Sequence, residues 1–352
     1  MKARIAVLAG DGIGPEVTIE AVRCLRAVAA KFHHDFELID APVGAAAMDA
    51  GLDPLPASTL ALARKTDATL FGAIGSPRYS DPEAKVRPEQ AILGLRRELG
   101  LFANLRPVVP QASLRHASPL KDNLLEGVDL LVVRELTGGI YFGRQQWLED
   151  SATDECRYTV AEIERIARVA GRLAQARRRK ITSVDKANVL ETSRLWRQVV
   201  TRVMSDEFPD VFLEHQLVDS AAMLLLSRPA DYDVIVTENL FGDILSDEAA
   251  ALAGSLGLLP SASLGDSKRG LYEPIHGSAP DIAGRGIANP YAAISSAALL
   301  LRHSLDLEAE AAALEKAVAG AIAAGVLTQD IAPRGMAAAD TRGAGAAVLE
   351  RL

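Results

Sequence analysis

The chain predicts an α/β fold built on a central, mostly parallel sheet. Two observations carry this. Apolar runs at 4–9, 68–73, 128–133, 181–184 and 233–236 are continuous instead of alternating, as strands covered on both faces by helices are. Longer stretches with helical periodicity, at 15–30, 162–178 and 309–324, lie among them, and strand–helix alternation on this scale is the α/β signature. A third observation bears on function. Each apolar run ends in polar or glycine-rich sequence: Gly10-Asp11-Gly12, Gly75-Ser76-Pro77, Arg134-Glu135, Asp185-Lys186-Ala187-Asn188 and Thr237-Glu238-Asn239. In open α/β sheets the ligand crevice lies outside the carboxyl ends of the strands.

The elements follow in order. The N-terminal apolar run is too short for a signal-peptide core and reads as a first strand, so a cytoplasmic protein is expected. Pro15 suits the first turn of the next helix, where its missing N–H removes no bond. The basic run Arg177-Arg178-Arg179-Lys180 ends an amphipathic stretch and is expected to interact with the helix C-terminus. Connections at 74–90 and 140–157 are long enough for lids or interface elements. The Ala-rich stretch near 311–324 reads as packed helix.

Bulk properties bound the function. A chain of 352 residues, 49% hydrophobic, is long enough for two subdomains with their own cores. A net charge of −8 argues against a nucleic-acid partner, since phosphate neutralisation needs concentrated basic surface. No stretch approaches the ~20 apolar residues of a membrane span. Cys24 and Cys156 form no CxxC and no disulfide framework.

Several residues have the chemistry of a site. Gly10-Asp11-Gly12-Ile13-Gly14-Pro15 follows a strand and opens a helix, but its third glycine comes one residue early for the GxGxxG dinucleotide fingerprint. A tight turn with close backbone approach is expected instead. The loop Glu273-Pro274-Ile275-His276-Gly277-Ser278-Ala279-Pro280-Asp281-Ile282, followed by Asn289-Pro290, combines small residues, backbone donors, a histidine and an acid. Asp281 would accept from ribose hydroxyls and repel a 2′-phosphate, favouring NAD over NADP. Arg96, Arg106 and Arg134 match carboxylates in a fork geometry, although each alone is more often a surface or salt-bridge residue. Tyr141 is a packed aromatic or a proton donor, and Lys186 a proton carrier if its pKa is lowered. Asp219 adds a carboxylate. Asp243 and Asp247 lie four apart on one face of a helix-forming run. That pair either complements the helix dipole or offers hard oxygens to Mg²⁺ or Mn²⁺.

Together these residues resemble the isocitrate/isopropylmalate dehydrogenase family of β-decarboxylating dehydrogenases. The most specific matches are 133–143 (Val-Arg-Glu-Leu-Thr-Gly-Gly-Ile-Tyr-Phe-Gly), 184–191 (Val-Asp-Lys-Ala-Asn-Val-Leu-Glu), the Asp243/Asp247 segment and the His276-to-Asp281 loop. The resemblance implies a two-domain fold without a Rossmann nucleotide site. Residues 1–100 plus 254–352 would form the cofactor-binding domain, and 101–253 the substrate, metal and dimerisation domain. It also implies a homodimer with shared active sites, and NAD with Mg²⁺ or Mn²⁺ as cofactors. Carried over by motif, Arg96, Arg106 and Arg134 would hold substrate carboxylates. Asp219, Asp243 and Asp247 would ligate the metal. Tyr141 and Lys186 would move protons, with Lys186 and Asp219 reaching the site from the partner subunit. Ile13, Glu273, His276, Gly277, Ser278, Ala279, Asp281, Ile282 and Asn289 would hold the dinucleotide.

Substrate choice would rest on the segment around Glu89, Ile92 and Leu93. Its apolar pair suits an isopropyl group, where isocitrate relatives place a serine and an asparagine. The expected activity is therefore oxidative decarboxylation of 3-isopropylmalate in leucine biosynthesis, with D-malate, tartrate or other 3-alkylmalates as the alternative substrates. The chain departs from the family in Arg144-Gln145-Gln146-Trp147, where a Pro-Arg-Gly turn is usual, in Leu217 for a common tyrosine, and in Glu238 for a frequent glycine.

Overall fold

The computed structural model describes residues 1–81 and 84–352, so two residues of the 74–90 connection lie outside the description. The chain divides into two compact units. The first comprises Met1–Leu101, Gln111–Ala117 and Ala253–Leu352, and the second Phe102–Pro110 and Ser118–Leu252. The strands in chain order are β1 (Lys2–Gly10), β2 (Asp35–Asp40), β3 (Ala68–Ala73), β4 (Ala103–Val108), β5 (Leu130–Glu135), β6 (Gln145–Trp147), β7 (Ala152–Asp154), β8 (Lys180–Asp185), β9 (Phe212–Leu217), β10 (Val234–Thr237), β11 (Pro260–Leu264) and β12 (Leu271–Pro274).

In the first unit the strand order is β2-β1-β3-β12-β11, parallel throughout except for the antiparallel β11–β12 pair. Ile5 pairs with Leu38 on one side and with Ala68 on the other, which fixes the register of β1. In the second unit the order is β4-β5-β10-β8-β9, with only β4–β5 antiparallel. The expected mostly parallel α/β fold is therefore the observed one. β6 and β7 form a separate exposed antiparallel hairpin.

The five expected runs are β1, β3, β5, β8 and β10, displaced by at most two residues at either end. The strands without a continuous apolar run are the remainder. β2 and β9 close their strand orders at the edges and are half-buried and partly charged, so one face meets water and the apolar signal is diluted. The three expected helices are Gly14–Phe32, Val160–Gln175 and Glu308–Ala323. Val160–Gln175 opens with a capping box, Thr159 and Glu162 each serving the other's backbone N–H.

The basic run after that helix behaves differently from expectation. Arg177 Nε (2.8 Å) and the backbone N–H of Arg178 (2.9 Å) both donate to Asp233, a carboxylate with 1% exposure at the start of the β10 segment. A buried charge must be paired, and that requirement sets the place of these arginines. Among the described residues no helix is long and apolar enough to cross a membrane. Cys24 is buried, Cys156 half-buried, and both are free.

Candidate active site

The helix Asn239–Ala253 carries the centre of the second unit's site. Glu238 sits just before it, accepting the N–H groups of Leu240 (3.2 Å) and Phe241 (2.7 Å), which otherwise lack partners at a helix start. Glu238 also accepts from the Tyr158 hydroxyl at 3.2 Å, and that hydroxyl accepts the Asn239 N–H at 3.0 Å. Burial raises the Glu238 pKa, opposed by the two backbone donors.

One turn further along, Asp243 and Asp247 face two arginines. Arg134, second to last in β5, gives its Nη1 to Asp243 Oδ1, while its Nε and Nη2 hold Asn239 Oδ1 at 3.0 and 2.8 Å. Gly242 makes this possible, since a Cβ there would stand 2.6 Å from Arg134 Cγ. Arg106 in β4 donates to Asp247 Oδ1 (3.0 Å), Ser246 Oγ (2.7 Å) and Asn104 Oδ1 (2.8 Å). Tyr141 completes the group, its hydroxyl donating to Asp243 Oδ2 at 3.0 Å with Arg134 6.0 Å above its ring. Burial, and then the neighbouring Asp243 charge, raises the Tyr141 pKa, so the phenol holds its proton at neutral pH.

Lys186 and Asp219 form a second group. Lys186 follows β8, Asp219 lies in the first turn of the helix Val218–Ser227, and Nζ meets Oδ1 at 2.6 Å. This hydrogen bond lowers the Asp219 pKa. Among the described residues no three His, Cys, Asp or Glu side chains converge as a metal set. Asp219 therefore does not join Asp243 and Asp247 within one chain.

The first unit holds an open cavity of about 410 Å³. Of the expected cofactor residues, Ile13, His276, Ala279, Ile282 and Asn289 line it. Gly277 and Asp281 are exposed beside them, and the Ser278 carbonyl accepts the Ile13 N–H at 2.8 Å. The Gly10–Gly14 segment is a close-approach turn, as expected. Gly10 and Gly12 have φ of 72° and 59°, and a Cβ on Gly12 would stand 2.0 Å from the Ser278 carbonyl oxygen. Asp11 accepts the N–H groups of Ala45, Ala46 and Gly75, each at 2.9 Å.

His276 has a defined tautomer. Its Nδ1 lies 2.9 Å from the Gly277 carbonyl, which only accepts, so the proton is on Nδ1. Nε2 is then a bare acceptor, buried and without a partner. Burial lowers the His276 pKa, keeping the ring neutral. Such an orphan acceptor and small-residue lining fit a ligand rich in N–H and O–H donors, as a nucleotide is. Local sequence did not reveal Asp330, which also lines the cavity. It accepts from Asn289 Nδ2 at 3.0 Å and Thr328 Oγ1 at 2.6 Å, and only the tertiary fold brings residue 330 beside 289.

Arg96, on the helix Gln90–Glu98, pairs with Glu273 at 3.0 Å, and its Nε is buried without a partner. Glu273 is thus engaged by an arginine and is absent from the cavity lining. Glu89 is exposed at the start of the same helix. Ile92 and Leu93 separate: Ile92 packs with Leu8, Phe71 and Leu95 in the core, and Leu93 faces outward. Of the pair, Leu93 alone presents an exposed apolar surface.

By its relatives the chain is a β-decarboxylating dehydrogenase. The profile of the family described as isocitrate/isopropylmalate dehydrogenase matches residues 4–348, and the chain belongs to that family. It is 55% identical to a 3-isopropylmalate dehydrogenase of Anaeromyxobacter dehalogenans, over 94% of this chain and 95% of the relative. It is 56% identical to one of Geobacillus kaustophilus, over 94% and 91%. Among solved structures, isocitrate dehydrogenase from Methylococcus capsulatus superposes with a TM-score of 0.88 at 34% identity, covering 99% of both chains.

Proposed function

We propose that the chain catalyses NAD-dependent oxidative decarboxylation of (2R,3S)-3-isopropylmalate to 4-methyl-2-oxopentanoate and CO₂, the dehydrogenase step of leucine biosynthesis, in the cytoplasm. The observation that carries it is the group of Arg106, Arg134, Tyr141, Asp243 and Asp247. Two arginine forks and two carboxylates share one small volume with a protonated phenol, and the relatives at 55–56% identity carry the 3-isopropylmalate dehydrogenase name.

Arg106 and Arg134 would bind substrate carboxylate, displacing part of their present pairing with Asp243 and Asp247. Asp243 and Asp247 are hard oxygen donors of the kind Mg²⁺ or Mn²⁺ takes, and Asp219 of a second copy would complete the set. A divalent ion bound there supplies Lewis acidity toward the oxygen on C2. His276, Asn289 and the backbone around Ile13 and Ser278 would hold NAD⁺ in the first unit's cavity, where it would supply a hydride acceptor. Asp281 favours a free 2′-hydroxyl over a 2′-phosphate. Lys186 of the second copy, in its neutral amine form, would take the hydroxyl proton as the carbonyl forms. The β-keto acid then loses CO₂ from C3, and Tyr141, which holds its proton, delivers it to C3 of the enol.

The test is NADH formation with 3-isopropylmalate and with D-malate, with and without chelator. The expected result is a higher kcat/KM for 3-isopropylmalate, abolished by chelation and restored by Mn²⁺. A preference for D-malate overturns the substrate assignment, and turnover insensitive to chelator overturns the metal role.

A further inference from the structure

The Lys186 side chain is held far more rigidly at its root than an ordinary loop lysine. All four backbone polar groups of Lys186 and Ala187 are hydrogen-bonded. The Lys186 N–H donates to Ser193 Oγ (3.0 Å), and the Lys186 carbonyl accepts from Val189 (3.0 Å) and Leu190 (2.9 Å). The Ala187 N–H donates to Asp185 Oδ1 (2.9 Å), and the Ala187 carbonyl accepts from Arg194 Nε (3.0 Å). Asp185 is only 1% exposed. Arg197 grips it with a two-pronged fork, Nε to Oδ2 at 2.9 Å and Nη2 to Oδ1 at 2.8 Å.

Ser193, Arg194 and Arg197 all lie on the helix Glu191–Glu207, with Ser193 and Arg197 at i and i+4 on one face. Trp196 ties that helix to β8 through Nε1 to Ser183 Oγ (3.2 Å), and packs edge-on against Tyr158. The helix is thus a platform for the turn that carries Lys186. A forked guanidinium holds a carboxylate in both position and rotation, which an ammonium cannot.

We propose that Arg197 is a positioning residue for Lys186, acting through Asp185 and the Ala187 amide to aim the proton-accepting amine. The inference rests on the reading of Lys186 as the group that takes the hydroxyl proton. Displacements near 1 Å of a reacting group cost about 100-fold in rate, so the clamp acts on kcat and not on ligand affinity.

The experiment is a double-mutant cycle with 3-isopropylmalate and NAD, using dimeric enzyme whose melting temperature is recorded. Arg197→Met keeps the apolar stem and removes the fork. It lowers kcat about 10- to 100-fold, with both KM values within about twofold. Arg197→Lys restores part of the loss. On a Lys186→Met background, Arg197→Met causes no further fall in the residual rate, because its effect runs through the missing amine. Should Arg197→Met fail to fold, Ser193→Ala takes its place in the same cycle, removing the Lys186 N–H acceptor. Losses that multiply in the cycle, or Arg197→Met with normal kcat beside an impaired Lys186→Met, overturn the positioning role alone. Lys186→Met with normal kcat overturns the reading of Lys186 itself.

Discussion

Asp243 accepts from Arg134 and from Tyr141 at once, with Arg106 3.9 Å away. Its neighbour Asp247 has one arginine contact, at 3.0 Å, and a side chain 60% exposed. The two carboxylates of one helical face therefore differ in how firmly they are held. Asp247 is the more accessible to an incoming cation. Asp247→Asn keeps the size and an oxygen that can still accept from Arg106, so its effect on folding is on the order of 1 kcal/mol, as for a half-exposed ion pair. Its effect on Mn²⁺-dependent kcat reaches about 100-fold or more, since even outer groups of metal sites contribute 10- to 100-fold. Steady-state kinetics beside thermal melting separate the two, and near-normal turnover would remove Asp247 from the ligand set.

At the scale of an element, the helix Tyr291–His303 shows two effects in conflict. A histidine in a last turn is favoured as a cation by the helix dipole, by roughly 0.3–1 kcal/mol. At His303 burial opposes this and wins, with the Arg302 charge adding to it, so the pKa is lowered from 6.5 to about 4. Unfolded, this imidazole takes its proton near 6.5; folded, it resists until about 4. Between those values the unfolded chain binds more protons, so stability is full above 6.5 and is lost as pH falls toward 4. The loss from this group is on the order of 3 kcal/mol. His303→Gln flattens the decline, read as the melting temperature of variant and wild type at about pH 7.5 and pH 4.5. Parallel declines would show that His303 does not carry the effect.

For the whole molecule, Asp219 pairs with Lys186 while Asp243 and Asp247 pair with arginines, and no third donor joins them among the described residues. A twofold assembly in which Lys186 and Asp219 serve the partner's site makes a sharp forecast. Lys186→Met and Asp247→Asn homodimers each keep only a small residual rate. When they are unfolded together and refolded, half the dimers are mixed, and each mixed dimer has one site with every group intact. Recovery of about a quarter of wild-type activity is expected from this symmetry. Sites built within single chains would recover none.

Legibility in the sequence followed unbroken apolarity and not burial alone: β4, β11 and β12 are largely buried yet are interrupted by polar residues or proline. Strands covered on both faces, such as β5 and β10, announced themselves because a parallel sheet excludes water from both sides. Edge strands β2 and β9 did not, because none of their residues is fully buried and polar residues interrupt the apolar ones. That Asp243 and Asp247 share a helical face was readable from their spacing, and their metal reading came only with the family resemblance. Partners distant in sequence were not readable. That Arg177 serves Asp233, that Asp330 steadies Asn289, and that Ile92 belongs to the core while Leu93 faces out depend on long-range packing. The sequence by itself determined the chemistry available to this protein and the local elements that carry it. The tertiary structure decided which charges meet, because a buried charge takes the partner the fold brings within reach.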